Sequence, residues 1–136
     1  MERISFTTPY PPSVNRIYAT SSQRKISKAG KVYYPRILSK EAKAFKKYVS
    51  ELLFYTFPKV KYGRHPVDID IVVFPPDDKR TRDDHNIEKI LYDAIEMSGI
   101  IDNDKQIVKR SICQGKKVKG GSLNIVMKPY IEETKS

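Results

Sequence analysis

The sequence predicts an α/β (α+β) fold, a small mixed sheet packed with two helices in a single domain, and three observations carry that reading. Residues 67–74, Val-Asp-Ile-Asp-Ile-Val-Val-Phe, alternate and then become apolar throughout, as a strand passing from half-exposed to buried would. Residues from about Asp84 to Ser98 instead set Ile87, Ile90, Leu91, Ala94 and Ile95 on one stripe at helical spacing. The chain of 136 residues is long enough for one modest core, has no repeat or linker, and leaves no room for a second domain.

The first strand is expected over residues 2–8, where Ile4 and Phe6 alternate with polar neighbours until Pro9 and Pro11-Pro12 end it. Asn15, Arg16 and Tyr18 follow in a loop. Between Ala19 and Pro35 the chain is polar and basic, with a turn at Lys28-Ala29-Gly30-Lys31 joining two short strand-like pieces, Arg24–Ser27 and Val32–Tyr34. Ser39 then caps a helix through about Tyr55, which turns Ala42, Phe45, Val49, Leu52 and Leu53 inward and Lys40, Lys43, Lys46 and Lys47 outward. Pro58 closes it, and residues 59–65 form a loop in which His65, directly before Pro66, is a turn residue.

Pro75-Pro76 ends the 67–74 strand and hands the chain to a basic run. Asp83 or Asp84 caps the second helix, and Gly99 stands where its left-handed terminal residue is wanted. Gln106–Gln114 and Ser122–Lys128 are two further strands joined by a basic turn at 115–121. The tail, 131–136, is polar and frayed.

Charge is unevenly spread. The chain holds 26 basic and 16 acidic residues, a formal +10. Residues 1–47 carry 11 basic side chains against Glu2 and Glu41, and 105–120 carry six and no acid, whereas 77–104 carry nine acids and four bases. An acidic cluster framed by basic segments suits a metal nuclease that grips a phosphate backbone on either side, although plain solubility also explains a positive net charge. The single Cys113 excludes an internal disulfide, and no Cys/His grouping has zinc spacing. There is no signal-peptide pattern and no apolar run near the ~18 residues of a membrane span, so a cytoplasmic protein that meets no membrane is expected.

The second helix is flanked by acids at both ends: Asp83-Asp84-His85-Asn86 at its start and Asp102-Asn103-Asp104 after it. Phosphodiester hydrolysis needs charge neutralised at both the attacking and the leaving oxygen, and grouped carboxylates achieve this by holding Mg²⁺. Asp83 and Asp104 are the candidate pair. About 15 helical residues carry the chain roughly 22 Å from Asp83, and an extended return from Gly99 to Asp104 recovers at most about 16 Å, so the two must either meet within one subunit near that limit or form a narrower site. The bland reading stands beside it: acids at a helix start complement its dipole, and Asp-Asn-Asp is ordinary turn chemistry.

At these residues the sequence resembles the RusA-type Holliday-junction resolvases. Their N-terminal Pro-Pro-Ser-x-Asn-Arg-x-Tyr is present as Pro11, Pro12, Ser13, Asn15, Arg16 and Tyr18. Their basic run before Arg-Asp-x-Asp-Asn and a later Lys corresponds to Lys79-Arg80-Thr81-Arg82-Asp83-Asp84-His85-Asn86 and Lys89. Asp93-Ala94-Ile95 and Asp104-Lys105-Gln106-Ile107 match two further motifs in the right order.

The resemblance implies a small homodimeric, Mg²⁺-dependent endonuclease of the kind often carried by prophages, with Mn²⁺ as a substitute ion, acting on branched DNA. In that reading Asp83 and Asp104 bind metal, Lys89 stabilises charge on the scissile phosphate or orients the water, and Asn86 and Asp93 support the ligands from behind. Asn15, Arg16, Lys79, Arg80 and Arg82 contact DNA. Read from the residues themselves, Arg24, Lys25, Lys28 and Lys31 bind phosphate while Tyr33 and Tyr34 among them stack on unpaired bases, or the segment is a small hairpin with an ordinary wet surface. One position departs: the family's second metal-binding Asp falls on His85, whose imidazole suits Mn²⁺, Fe²⁺ or Zn²⁺ better than Mg²⁺. Two other classes remain open, a junction-binding protein weakened in catalysis by that change and a basic structural protein whose acids only cap a helix.

Overall fold

The computed structural model describes residues 2–12, 18–20, 24–33, 36–76 and 84–132. In chain order these form β1 (Ile4–Pro9), β2 (Tyr18–Thr20), β3 (Lys25–Ile26), β4 (Val32–Tyr33), β5 (Arg36–Leu38), α1 (Lys40–Thr56), β6 (Val67–Phe74), α2 (Asp84–Ser98), a 3-10 turn (Asp104–Gln106), β7 (Ile107–Gln114) and β8 (Ser122–Pro129).

Four strands make the central sheet in the order β1-β8-β6-β7. β8 lies antiparallel to both β1 and β6, and β6 lies parallel to β7. Parallel neighbours need a crossover, and α2 supplies it. β7 and β8 were expected as consecutive strands across a basic turn, but they are not neighbours; the 115–121 connection carries the chain past the end of β6, so that β7 and β8 flank it. At the far flank Thr7 Oγ donates to Asn124 Oδ1 at 3.0 Å, joining side chains 117 positions apart.

The apolar period of each element buries one face. Val67, Ile69, Ile71 and Val73 of β6 are at most 1% exposed, and Leu123, Ile125 and Met127 of β8 continue that surface. Ile87, Ile90, Leu91, Ala94 and Ile95 of α2 close over it with Ala42, Phe45, Val49 and Leu53 of α1. Truncating one such side chain, as in Leu91→Ala, costs about 2–5 kcal/mol through lost transfer energy and the cavity left behind.

Ser39 caps α1 as expected, its Oγ accepting from the Ala42 amide at 3.2 Å. Two side chains of that helix turn otherwise than expected. Leu52 is only half-buried, because Leu53 takes the inward position, and Lys46 is half-buried against α2 rather than solvated. β1 continues through Pro9, which an edge strand tolerates because the missing amide costs no ladder bond there. Tyr18, expected in a loop, opens β2, whose partner β5 had no alternating pattern to announce it. Gln106, expected as the first residue of a strand, closes the 3-10 turn, and the strand starts at Ile107. No helix among the described residues is long and apolar enough to cross a membrane.

Candidate active site

The β6–α2–β7 crossover has two chemically distinct ends. At one, where β6 finishes, α2 begins at Asp84. His85 and Asn86 lie in its first turn as helical backbone. Asp83, together with Asn15, Arg16, Lys79, Arg80 and Arg82, falls outside the described residues. Lys89, one turn further along, is exposed and pairs with no side chain among the described residues. Asp93, a turn beyond, faces α1, where its carboxylate lies 3.9 Å from Lys46 Nζ. Gly99 ends the helix with φ +87°, the left-handed conformation that favours glycine.

At the other end the chain returns beside the start of β6. Ile101 bridges Gly63 in parallel, the Asp102 amide donates to the Gly63 carbonyl at 3.2 Å, and the Tyr62 amide donates to the Ile100 carbonyl at 2.8 Å. Gln106 fastens this return. Its Oε1 accepts from the amides of Asp102 and Asn103, both at 2.9 Å, while its Nε2 donates to the carbonyls of Gly63 at 2.7 Å and His65 at 2.9 Å. Asn103 reciprocates as the cap of the 3-10 turn, accepting from the Lys105 amide at 2.8 Å. The spacing Asn103-x-x-Gln106 is a capping-box signature, and it is the sequence signal that announces this clamp.

Inside the clamp stands Asp104. It is half-buried and no side chain among the described residues pairs with it, whereas neighbouring Asp102 is exposed and lies 3.8 Å from Arg64 Nε. A carboxylate on backbone fixed by these bonds, with no side-chain partner among the described residues, suits a hard divalent cation, which prefers oxygen donors.

The start and the finish of α2 lie far apart along one chain. Fifteen helical residues at ~1.5 Å each put the start of α2 about 22 Å from its finish, and the seven steps along β6 at ~3.3 Å give about 23 Å. The segment from Gly99 to Asp104 is spent crossing from helix to sheet, with Ile100 and Ile101 buried on the way.

Between the ends, Glu88 lies 3.5 Å from Arg110 of β7, and the Tyr92 hydroxyl is buried without a hydrogen-bond partner among the described residues. Burial pushes that hydroxyl up to about 12, Glu88 adds to the rise and Arg110 opposes it. The opposite face of the sheet carries a cavity of about 610 Å³ lined by Asp68, Lys109, Lys128 and Tyr130, among others, and by no expected site residue. Arg24, Lys25, Lys28 and Lys31 are exposed around the β3–β4 hairpin.

Comparison with known proteins gives this geometry a context. A family model described as Endodeoxyribonuclease RusA matches residues 9–128, from the end of β1 to β8. The chain is 31% identical over 126 residues to a crossover junction endodeoxyribonuclease rusA of Enterobacteria phage HK97, covering 92% of this chain and 93% of that relative. It is 28% identical over 127 residues to the proteins of the same name from Escherichia coli strain K12 and Shigella sonnei strain Ss046, covering 93% of this chain and 95% of each relative.

Proposed function

The chain belongs to the RusA endodeoxyribonuclease family, and from that premise we propose that it cuts Holliday junctions or other branched DNA by paired, metal-dependent phosphodiester nicks in recombination and repair. The family match spans both the start of α2 and the Gln106 clamp, and this carries the reading. Action on chromosomal or phage DNA assigns it to the cytoplasm.

The separation of the two acidic ends supports a homodimer as the working unit. Ligands must lie about 2.0–2.1 Å from a Mg²⁺ ion, which ends ~22 Å apart on one chain do not satisfy. In a two-fold pair, Asp83 and His85 of one copy meet Asp104 of the other, and the symmetry generates two such sites, as paired nicking requires. These residues would hold Mg²⁺, with Mn²⁺ as substitute, and a bound ion there would neutralise charge on the attacking and leaving oxygens. Gln106 keeps Asp104 from swinging. Lys89, exposed on the helix that opens at Asp84, stabilises the negative charge on the scissile phosphate. Asn86 and Asp93 brace the helix face that carries Lys89, Asp93 through its pairing with Lys46.

The test is to incubate the protein with a synthetic four-way junction, a linear duplex and a single strand in Mg²⁺, Mn²⁺ or EDTA. Symmetric nicks confined to the junction and lost in EDTA are expected. Binding should fall with salt at a log-log slope near roughly −0.9 for each phosphate contact. Branch-selective binding without nicks in either metal would leave a junction-binding protein, and salt-insensitive, shape-blind behaviour would leave neither.

A further inference from the structure

The β3–β4 hairpin stands apart from the central sheet. Among the described residues its two strands pair only with each other, Lys25 opposite Tyr33 and Ile26 opposite Val32. Directly opposed residues share a face, so one side presents Ile26 and Val32 together and the other presents Lys25 with Tyr33. Ile26 is 63% exposed and Val32 51%, two β-branched side chains with no covering element among the described residues. An isolated two-stranded hairpin is marginal in water, and an uncovered apolar pair adds nothing to it.

Its tip is nevertheless closely tied. The Ser27 amide donates to the Lys31 carbonyl at 2.8 Å, the Gly30 amide to the Ser27 carbonyl at 2.9 Å, and the Lys31 amide to Ser27 Oγ at 3.1 Å. Gly30 makes the reversal at φ +79°. Arg24, Lys25, Lys28 and Lys31 neighbour the apolar pair along the chain, Lys25 on the opposite face, and no acid occurs from residue 24 to residue 33. A second copy of the same hairpin, with four cations and no acid, is a poor occupant for such a surface, whereas a polyanion with apolar faces to offer is a good one.

Resting on the DNA reading above, we propose that this hairpin is a wedge: Ile26 and Val32 enter the branch point and take the place of a stacked base, while the four cations hold the phosphates on either side. Apolar side chains that unstack base steps work in this way in proteins that bend DNA. A branch point is where insertion meets least resistance, because stacking is already interrupted there. The wedge therefore favours a junction over a duplex without reading any base.

The experiment places 2-aminopurine, whose fluorescence rises on unstacking, either at the branch point or midway along one arm of a four-way junction. The full-length protein is titrated in EDTA, with binding followed in parallel by anisotropy. A several-fold rise is expected at the branch point and little change in the arm. Ile26→Thr with Val32→Thr keeps the β-branched shape but removes the apolar surface, and should abolish the rise while Kd changes by no more than about threefold. The pair Ile26→Val with Val32→Ile retains the apolar surface and should retain the signal.

A full fluorescence rise from the threonine variant, or none from wild type that binds, would overturn the wedge and leave the nuclease reading standing. Failure of wild type to bind the junction would overturn both. A change in mass by light scattering on making the threonine variant would assign the pair to self-association and overturn the wedge.

Discussion

Gln106 Nε2 donates to the Gly63 carbonyl across 2.7 Å, and through this bond the turn bearing Asp104 is tied to the segment that enters β6. Gln106→Glu keeps the acceptor that serves the Asp102 and Asn103 amides but sets an oxygen against the Gly63 and His65 carbonyls. Urea denaturation should show a loss on the order of 1–3 kcal/mol, the range for unpaired polar groups. Junction cleavage should need more Mg²⁺ to reach half its maximum, because Asp104 is no longer held. Unchanged stability and metal requirement would mean that the clamp is ornamental.

Asp83→Asn and Asp104→Asn should each abolish nicking while leaving junction binding intact or tighter, since removing negative charge does not weaken attraction to phosphate. The mixture of the two inactive proteins discriminates further. If each site draws Asp83 from one copy and Asp104 from the other, random reassortment restores about a quarter of the sites, each nicking one strand. Gel analysis that finds no recovered nicks after reassortment would place both ligands in one chain.

By the family resemblance, His85, in the first turn of α2, takes the place of an expected carboxylate. A neutral imidazole contributes one negative charge fewer and suits Mn²⁺ better than Mg²⁺. Cleavage rates should therefore be higher in Mn²⁺ for the wild type, and His85→Asp should raise the Mg²⁺-supported rate. His85→Ala should lower both. Equal rates for wild type and His85→Ala in both metals would make the histidine a bystander and direct attention to Asp84.

Two buried tyrosines set an alkaline limit. Tyr62 donates to the Glu2 and Met127 carbonyls at 2.5 and 3.2 Å, and burial, helped by Glu2, raises its hydroxyl from 10.0 to about 12. Tyr92 is raised to a similar value. A folded-state pKa above the unfolded one means stability that is complete below pH 10 and is lost as pH climbs through 12. Urea midpoints should fall over that window, and less steeply in Tyr62→Phe or Tyr92→Phe. At neutral pH the two should differ: Tyr62→Phe loses about 1 kcal/mol of hydrogen bonding, whereas Tyr92→Phe removes an unpartnered buried hydroxyl and is neutral or stabilising.

The elements legible in the sequence were those with a strong period or an unambiguous cap. The α2 stripe from Ile87 to Ile95, the cap at Ser39, the turn at Gly30 and the β6 run each depend on neighbours within one or two turns. Strand order depends on contacts that no local pattern encodes, and so the insertion of β8 between β1 and β6 could not be foreseen. The pairing of Tyr18 with Leu38 was missed for the same reason. At the candidate site Asp83, Lys79, Arg80 and Arg82 lie outside the described residues; the length of α2 follows from its apolar period, whereas the commitment of Ile100 and Ile101 to the core has no local sequence signature. Tyr92 also lay off the expected stripe, although it is only 4% exposed.

Because β8 fills the slot between β1 and β6, β1 leaves the ribosome long before the strand that pairs with it. Thr7 waits for Asn124, 117 residues later, which at a synthesis rate of ~5–20 residues per second is roughly 6–23 s. During that interval the backbone of β1 lacks its ladder partner and the edge of β6 that β8 will cover is bare, a state that invites chaperone binding. Fragments ending before Ser122 should accumulate only as degraded or aggregated material, so that no partial product competes with the whole protein for junctions.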